Sequence, residues 1–272
     1  MDFLSTIVIY ISNNYLFTLA GFFVGFIVGM TGVGGGSLMT PILVLFFDIK
    51  VAIAVGTDLL YAAITKSGGI FAHHRHGNIQ WQILKLLFIG SIPASLCSIL
   101  VIKKLDSAGI NYDNLIMSTL SIALILTGIF LLSKNQLQKL SKNENSAYIK
   151  ALHRKFRKPI TIFSGVLIGI LVTLSSVGAG VIGAAFLFFL YPKFKAIKIV
   201  ATDIAHAVPI TAIAGIGHAH LGTVDYILLG NLLIGSLPGI YFGSKFGNFL
   251  PDKHMRPILA CMLLAIGIRL AI

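Results

Sequence analysis

The sequence predicts an all-α polytopic membrane protein made of two inverted repeats. Each repeat is a glycine-tipped, broken or re-entrant helical hairpin followed by three transmembrane helices. Of the 272 residues, 56% are hydrophobic and 11% are charged, whereas a soluble domain is about 25% charged. Several apolar stretches approach the roughly 20 residues that a spanning helix needs. In addition, the same motifs occur twice along the chain, and each copy contains a glycine-rich run.

The net charge of +12 does not indicate a nucleic-acid partner. An excess of lysine and arginine in the cytoplasmic loops of a membrane protein explains it, and the aromatic-basic modules that bind single strands are missing from the sequence. Cys97 and Cys261 lie inside apolar segments, so we expect small packed side chains rather than a disulfide. The first residues lack a basic region and a small-residue cleavage site, so a removed signal peptide is not expected.

The first half is predicted to hold one hairpin and three helices. Residues 16–47 are apolar arms around the run Gly32-Val33-Gly34-Gly35-Gly36, and apolar helices follow at about 53–72, 80–102 and 114–133. In lipid an unpaired backbone group costs several kcal/mol, so non-helical backbone occurs only where it is buried in protein or lines a cavity. The glycine run is therefore predicted to be an irregular, backbone-lined site at membrane depth.

A basic segment separates the two halves. We assign 1–133 to the N-terminal repeat, 134–159 to a basic linker and 160–272 to the C-terminal repeat. Apolar residues recur every fourth position between Tyr148 and Phe156, surrounded by lysines and arginines. This pattern is typical of a short basic helix on the inner leaflet, and a solvated connector is the alternative.

The second half repeats the motifs of the first in the same order and at a nearly constant interval. Such an ordered set indicates a tandem duplication, and many secondary transporters are built this way with the site where the repeats meet. The matched pairs are Gly21-x-x-x-Gly25 with Gly165-x-x-x-Gly169, Val33-Gly34-x-Gly36 with Val177-Gly178-x-Gly180, Thr57-Asp58 with Thr202-Asp203, His73 with His218, and Gly90-Ser91-x-Pro93 with Gly235-Ser236-x-Pro238.

The distribution of lysine and arginine favours inverted halves. If residues 16–47 enter and return as a hairpin, each half has three full crossings and the halves point in opposite directions. Most lysines and arginines then lie on one face with the linker. Because cytoplasmic loops carry the excess of these residues, we expect a multi-pass protein of the cell (inner) membrane with 134–158 in the cytoplasm. If residues 16–47 instead cross once as a broken helix, the halves are parallel.

The glycine runs form the predicted substrate site. Successive backbone N–H groups beside helix N-termini make a concavity of partial positive charge that suits an anion, and nearby hydroxyls add donors. The alternative is close helix packing through glycine, which we prefer for the Gly-x-x-x-Gly pairs. The predicted substrate-binding residues are Thr31, Gly32, Gly34, Gly35, Gly36 and Ser37 in the first half and Ser175, Ser176, Gly178 and Gly180 in the second.

Two carboxyl groups interrupt apolar segments. A carboxyl inside a membrane segment is costly and indicates function. His206 lies one turn from Asp203, where an acid beside a histidine is able to relay a proton. We therefore predict that Asp58, Asp203 and His206 couple transport to protons. The alternative is that Thr57-Asp58 and its repeat cap the start of a helix.

The remaining charged residues are assigned to the surface. Lys66 is expected to extend toward the inner face of the membrane, and a counter-charge for an anion is the alternative. The histidines fall at helix ends on opposite faces, whereas zinc needs about four converging ligands. No metal and no cofactor are therefore predicted. The sequence also lacks a nucleophile–base pair with enzyme-like spacing, so an enzyme is not expected.

The motifs themselves resemble a known family. Three motifs of the first half occur in the order Gly25-x-x-x-Gly29-x-x-Gly32-x-Gly34-Gly35-Gly36 followed by Pro41, then Gly56-Thr57, then His73-x-x-x-Gly77-Asn78-Ile79-x-Trp81. With these motifs the sequence resembles the TauE/SafE family of sulfite-exporter-like permeases. The resemblance covers nearly the whole chain. It implies export of sulfite, sulfoacetate or other organosulfonates. The second copy departs from the pattern at Ala179 and Ala185, so its run is expected to be less open.

The sequence therefore predicts a secondary transporter that moves a small sulfur-containing anion by alternating access. The expected partners are that anion and the lipid bilayer, and the oligomeric state is left open. One alternative is a cation-selective channel or transporter with Asp58 and Asp203 as ion ligands. A second alternative is an intramembrane enzyme acting on lipid or sulfur compounds.

Overall fold

The computed structural model describes residues 3–31, 36–75, 77–142, 147–246 and 252–271. These residues form ten α-helices and no strand, which confirms the predicted all-α class. The helices of the first half are α1 (Phe3–Thr31), α2 (Gly36–Phe46), α3 (Val51–Arg75), α4 (Trp81–Ser107) and α5 (Asp113–Lys142). Those of the second half are α6 (Ala147–Ser175), α7 (Ile182–Leu190), α8 (Ala196–His220), α9 (Tyr226–Phe246) and α10 (Asp252–Ala271).

The long helices are suited to lipid. Large apolar side chains such as Ile122, Phe163 and Leu237 are exposed on the outside of the molecule, where a bilayer solvates them at no cost. In water, the same exposed side chains would form a larger apolar surface than a soluble protein tolerates. The chain is therefore a multi-pass membrane protein. The segments long and apolar enough to span a membrane are Trp81–Ser107, Asp113–Ser133, Phe156–Ser175, Ala196–His220 and Tyr226–Phe246.

Each half begins with a long helix and a short helix between which the chain reverses direction. The rings of Phe17 in α1 and Phe47 after α2 lie 4.9 Å apart, which brings the open ends of the first pair together. At the equivalent positions of the second pair, Thr161 and Tyr191 share a hydrogen bond of 2.9 Å. The short helices have 11 and 9 residues, too few to cross about 30 Å of hydrocarbon. Both pairs are thus hairpins.

Two helix seams, α1 with α9 and α4 with α6, join the halves. A β-carbon added to a glycine in these seams would collide with the backbone of the facing helix, so only glycine permits this approach. The packing role predicted for the Gly-x-x-x-Gly pairs is therefore confirmed. The facing pairs are Gly21 with Leu232, Gly25 with Ser236, Gly165 with Leu87 and Gly169 with Ser91.

Equivalent helices of the two halves run antiparallel where they meet. Between α3 and α8, Gly56 lies against His218 while Leu60 lies against Gly215, so residue numbers rise along one helix as they fall along the other. Helices α5 and α10 show the same relation. Their facing pairs are Gly128 with Leu264 and Gly267 with Ile125.

Helical backbone extends into the predicted linker 134–159 from both sides. Helix α5 continues to Lys142 and α6 begins at Ala147, so most of this segment has helical backbone that belongs to the neighbouring helices. The repeat boundaries stay a prediction.

The largest hydrophobic core draws side chains from both halves, including Leu43 and Leu120 from the first and Leu232 from the second.

Candidate functional site

The turn between α6 and α7, here called the second tip (residues 176–181), is an irregular segment that is buried at 176–179 and partly buried at 180–181. Ser176, Gly178 and Gly180 have φ angles of 58°, 118° and 122°, in the region that glycine adopts readily and other residues rarely. The side chains of Val177 and Ala179 are 1% and 7% exposed. The predicted residues Ser175, Ser176, Gly178 and Gly180 therefore lie in or beside one buried turn.

The two serines of this turn have different roles. Ser175 Oγ donates to Leu171 O at 2.6 Å and accepts from Val177 N at 3.2 Å, so it holds the end of α6 in place. Ser176 Oγ is buried and lies near the Asp58 carboxyl group, but the two groups do not meet in hydrogen-bonding geometry. A buried hydroxyl without a partner costs about 1–3 kcal/mol, which makes Ser176 the serine available to a ligand.

The first tip is the segment between α1 and α2, and the structure describes only the residues on either side of it. Gly32, Gly34 and Gly35 lie outside the described residues, Thr31 ends α1 and Gly36 begins α2. Thr31 Oγ1 donates to Ile27 O at 2.7 Å, and Ser37 is buried at 5% exposure. The substrate-binding role of these residues stays a prediction.

Asp58 and Asp203 are not helix caps. Helix α3 begins at Val51 and α8 at Ala196, so each carboxyl lies in the second turn or beyond. The threonines beside them anchor the other half of the molecule: Thr57 Oγ1 accepts from Asp225 N, and Thr202 Oγ1 accepts from Gln80 N, both at 3.0 Å. The capping alternative for the Thr-Asp pairs is therefore wrong.

The two carboxyl groups have unequal surroundings. Asp58 Oδ2 accepts from Thr40 Oγ1 at 2.5 Å, and Oδ1 has no partner. Asp203 Oδ1 also has no partner, and it lies so close to Gly183 that a β-carbon there would collide with it. The residue equivalent to Thr40 is Ala184, which brings no hydroxyl. Both carboxyl groups are buried with unused hydrogen-bonding capacity.

Lys66 differs from its expected orientation toward the membrane surface. Its Nζ donates to Ala179 O of the second tip at 3.1 Å, and its charge interacts with both Asp58 and Asp203. The residues Lys66, Asp58, Asp203 and Ser176 thus form a group of charged and polar side chains around the second tip, here called the tip cluster.

His206 points toward α4 rather than toward Asp203. Its Nε2 forms a hydrogen bond of 2.8 Å with Ser91 Oγ, and its Nδ1 has no partner. The equivalent Tyr61 of the first half faces Ser236, which is the repeat of Ser91. A direct hydrogen bond between His206 and Asp203 is not present, so the proton-coupling role of His206 stays a prediction.

His218 has a structural role at the turn between α8 and α9. Its Nδ1 forms a hydrogen bond with Thr223 Oγ1 at 2.8 Å, and its Nε2 donates to Thr173 O at 3.0 Å. The ring therefore ties this turn to α6 of the neighbouring hairpin. Within the described part of the chain, no group of three or more histidine, cysteine, aspartate or glutamate side chains is placed to hold a metal ion.

We expect His218→Ala to lower the thermal stability of the purified protein, because it removes two buried hydrogen bonds and leaves Thr173 O without its side-chain donor. The expected cost is about 2–4 kcal/mol, measured by thermal unfolding in detergent. His220→Ala is the matched control, since His220 ends the same helix in an exposed position. Equal melting temperatures of the two variants would contradict the assigned role.

Comparison with known proteins agrees with the motifs. The sequence model of the family described as Sulfite exporter TauE/SafE matches residues 17–270. The probable membrane transporter protein YjnA of Bacillus subtilis is 37% identical over 252 residues, which cover 93% of this chain and 97% of that protein. YdhB of the same organism, with the same description, is 30% identical over 260 residues, 92% and 99% of the two chains.

A more distant relative from Methanocaldococcus jannaschii, also described as a probable membrane transporter protein, is 28% identical over 269 residues and 93% of both chains. All three relatives are described as transporters rather than as enzymes. No solved structure gives a significant match to the chain.

Proposed function

This chain belongs to the TauE/SafE family of membrane transporters, and from that premise we propose that it exports a small sulfur-containing anion. Sulfite, sulfoacetate and other organosulfonates are the proposed cargo class. The transport is secondary and proceeds by alternating access, with the two hairpin tips holding the anion.

The observation that carries this proposal is the second tip. It offers backbone in glycine-type conformations, the unpartnered hydroxyl of Ser176 and the ammonium of Lys66 within one buried region. Backbone N–H groups at a helix break, together with a fixed cation, are the means by which a protein holds an anion away from water. In a membrane, such irregular backbone is tolerated where it is buried in protein or lines a cavity.

Alternating access by inverted halves is the proposed mechanism. Support comes from the antiparallel packing of α3 with α8 and of α5 with α10, because two copies of one unit that point in opposite directions place equivalent helices this way. Rocking of the halves would expose the site to each side in turn. The orientation we propose places the basic segment 134–158 in the cytoplasm and the protein in the cell inner membrane.

Proton coupling is proposed for Asp58 and Asp203, with His206 as a further proton-accepting group. Both carboxyl groups are buried with unpartnered oxygens, so binding or loss of a proton changes the charge beside the tip directly. Buried ionisable groups inside membrane proteins commonly serve as proton relays.

A cation-selective pore is the second candidate, and the unpartnered carboxyl oxygens of Asp58 and Asp203 favour it. The position of Lys66 argues against it, because a fixed ammonium near both carboxyl groups already supplies the positive charge that a bound cation would bring. Flux that follows Na⁺ or K⁺ and ignores anions would support the pore.

The proposal is tested with the purified protein in liposomes. We expect radiolabelled sulfite or sulfoacetate to cross the membrane faster than in empty liposomes, and a pH gradient to accelerate the flux. A thermal-shift screen against sulfite, sulfoacetate, taurine, thiosulfate and sulfate should identify the cargo, because a ligand of the folded state stabilises by mass action. Absence of flux and of stabilisation by all of these compounds would contradict the proposed cargo class.

A further inference from the structure

Lys66 breaks the internal symmetry of the molecule. The equivalent residue in the second half is Thr211, whose hydroxyl donates to Ala207 O within its own helix at 2.9 Å. A lysine inside an apolar helix costs several kcal/mol unless it is paired or serves a function. Duplication does not explain this lysine, so its position needs a reason specific to the first half.

The partners of Lys66 leave part of its capacity unused. An ammonium group has three donors, and in the described residues one of them is used, on Ala179 O at 3.1 Å. Asp58 and Asp203 interact with its charge, yet neither carboxyl group forms a hydrogen bond with it. The hydroxyl of Ser176, 1% exposed and without a partner, belongs to the same tip.

We infer that Lys66 is the anion-binding charge of this transporter, and that it holds the anion at the second tip together with the Ser176 hydroxyl. This inference rests on the proposed function and adds to it a specific residue, its ligand chemistry and a coupling rule. The ligand group is the negatively charged oxyanion end of the cargo, which accepts hydrogen bonds from the ammonium and the hydroxyl.

The charges of the tip cluster give the coupling rule. With both carboxyl groups ionised, Lys66, Asp58 and Asp203 sum to −1, which repels an anion. One bound proton brings the sum to zero, and two bring it to +1, which neutralises a monoanion. Because charges in a buried site interact strongly, anion binding is expected to take up protons on Asp58 and Asp203. Lys66 then provides the attraction and the carboxyl groups provide the proton dependence.

Among the described residues, the other titratable groups near the cluster are Tyr61 and His206. Tyr61 lies one turn from Asp58 on α3 and faces Ser236, and His206 lies one turn from Asp203 on α8 and bonds to Ser91. The hairpin helices α2 and α7 present Thr40 and Gly183 to the two carboxyl groups, and neither of these titrates. Since neither Tyr61 nor His206 forms a hydrogen bond with a residue of the tip cluster, the coupling rule counts the charges of the lysine and the two aspartates.

The first test compares Lys66→Gln with Lys85→Gln in the purified full chain. Binding of methanesulfonate and of sulfoacetate is measured by calorimetry at pH 6 and pH 8. Methanesulfonate keeps the same charge at both values, so any pH dependence comes from the protein. We expect Lys66→Gln to weaken binding about 10- to 100-fold, the range for a lost hydrogen bond to a charged group. Lys85 is exposed on α4, and its substitution should leave affinity unchanged.

The second test uses the opposite change in charge. Asp203→Asn removes a negative charge near Lys66, so it should tighten binding at pH 8 and reduce the difference between pH 8 and pH 6. A general loss of folding cannot produce weaker binding in one variant and tighter binding in the other. The double variant, Lys66→Gln with Asp203→Asn, carries the same net charge as the native protein but lacks the lysine, and it should still bind the anion weakly.

The outcomes separate the inference from the proposed function. If the native protein binds neither sulfonate, the proposed cargo class fails and the inference fails with it. If the native protein binds a sulfonate and Lys66→Gln binds it equally well, the inference fails while the proposed function stands. Recovery of native affinity by the double variant would overturn direct contact between Lys66 and the anion.

Discussion

Gly90→Val is expected to separate the two halves of the protein at the seam between α4 and α6. A β-carbon at Gly90 would collide with Ile162 O and would lie 2.8 Å from Val166 N. Both contacts are with the backbone of a helix, which cannot rotate away as a side chain can. Overpacking of this kind commonly costs about 1–3 kcal/mol, and more where the backbone must move. We therefore expect the free energy of unfolding to fall by about 3 kcal/mol or more. The measurement is thermal unfolding together with the yield of monodisperse protein.

The duplication supplies an equivalent test of the other seam, between α1 and α9. Gly235 is the repeat of Gly90, and a β-carbon there would collide with Thr18 O and approach Phe22 N. Gly235→Val should therefore destabilise the protein to a similar degree. Gly68→Val is the matched control, because Gly68 lies in α3 with no atom within 4 Å of an added β-carbon. Native-like unfolding of Gly90→Val would show that the seam is looser than the described packing.

Much of this fold is predictable from the sequence because its signals are local or repeated. Apolar length identifies spanning helices without knowledge of their neighbours. The Gly-x-x-x-Gly pairs predict close helix packing, and the structure places backbone opposite each of them. The glycine-rich run in the second half marks a break in helix, and the second tip lies there with positive φ angles.

The partners of the site residues are not predictable in the same way. Asp58 and Asp203 are recognisable because a carboxyl in an apolar segment is costly. Nothing local, however, indicates that Thr40 bonds to Asp58 or that Lys66 reaches Ala179, more than one hundred residues away. These contacts depend on which face of each helix turns toward the other half. Sequence spacing does not determine which face that is. For the same reason the sequence-based expectation that Lys66 extends toward the membrane surface was wrong.

Gly178→Ala is expected to reduce anion flux about tenfold or more while the protein stays folded. The φ of Gly178 is 118°, and no atom lies closer than 3.6 Å to the position of an added β-carbon. The substitution is therefore tolerated sterically but strained in its backbone, at a cost of about 1–3 kcal/mol. The tip can relieve this strain by changing its dihedral angles, which reorients its N–H groups and moves the Ala179 carbonyl away from Lys66.

Gly109→Ala is the matched control for the strain itself. Gly109 has a φ of 68° in the exposed turn between α4 and α5, and no atom lies within 4 Å of its added β-carbon. It carries a similar conformational penalty in a turn that belongs to neither tip, so its flux in liposomes should remain native. If Gly178→Ala transports the anion as fast as Gly109→Ala does, the backbone of the second tip does not hold the cargo. Gly178→Ala adds and removes no charge. Loss of flux in this variant alone would therefore mean that anion transport depends on the conformation of the second tip as well as on the charges around it.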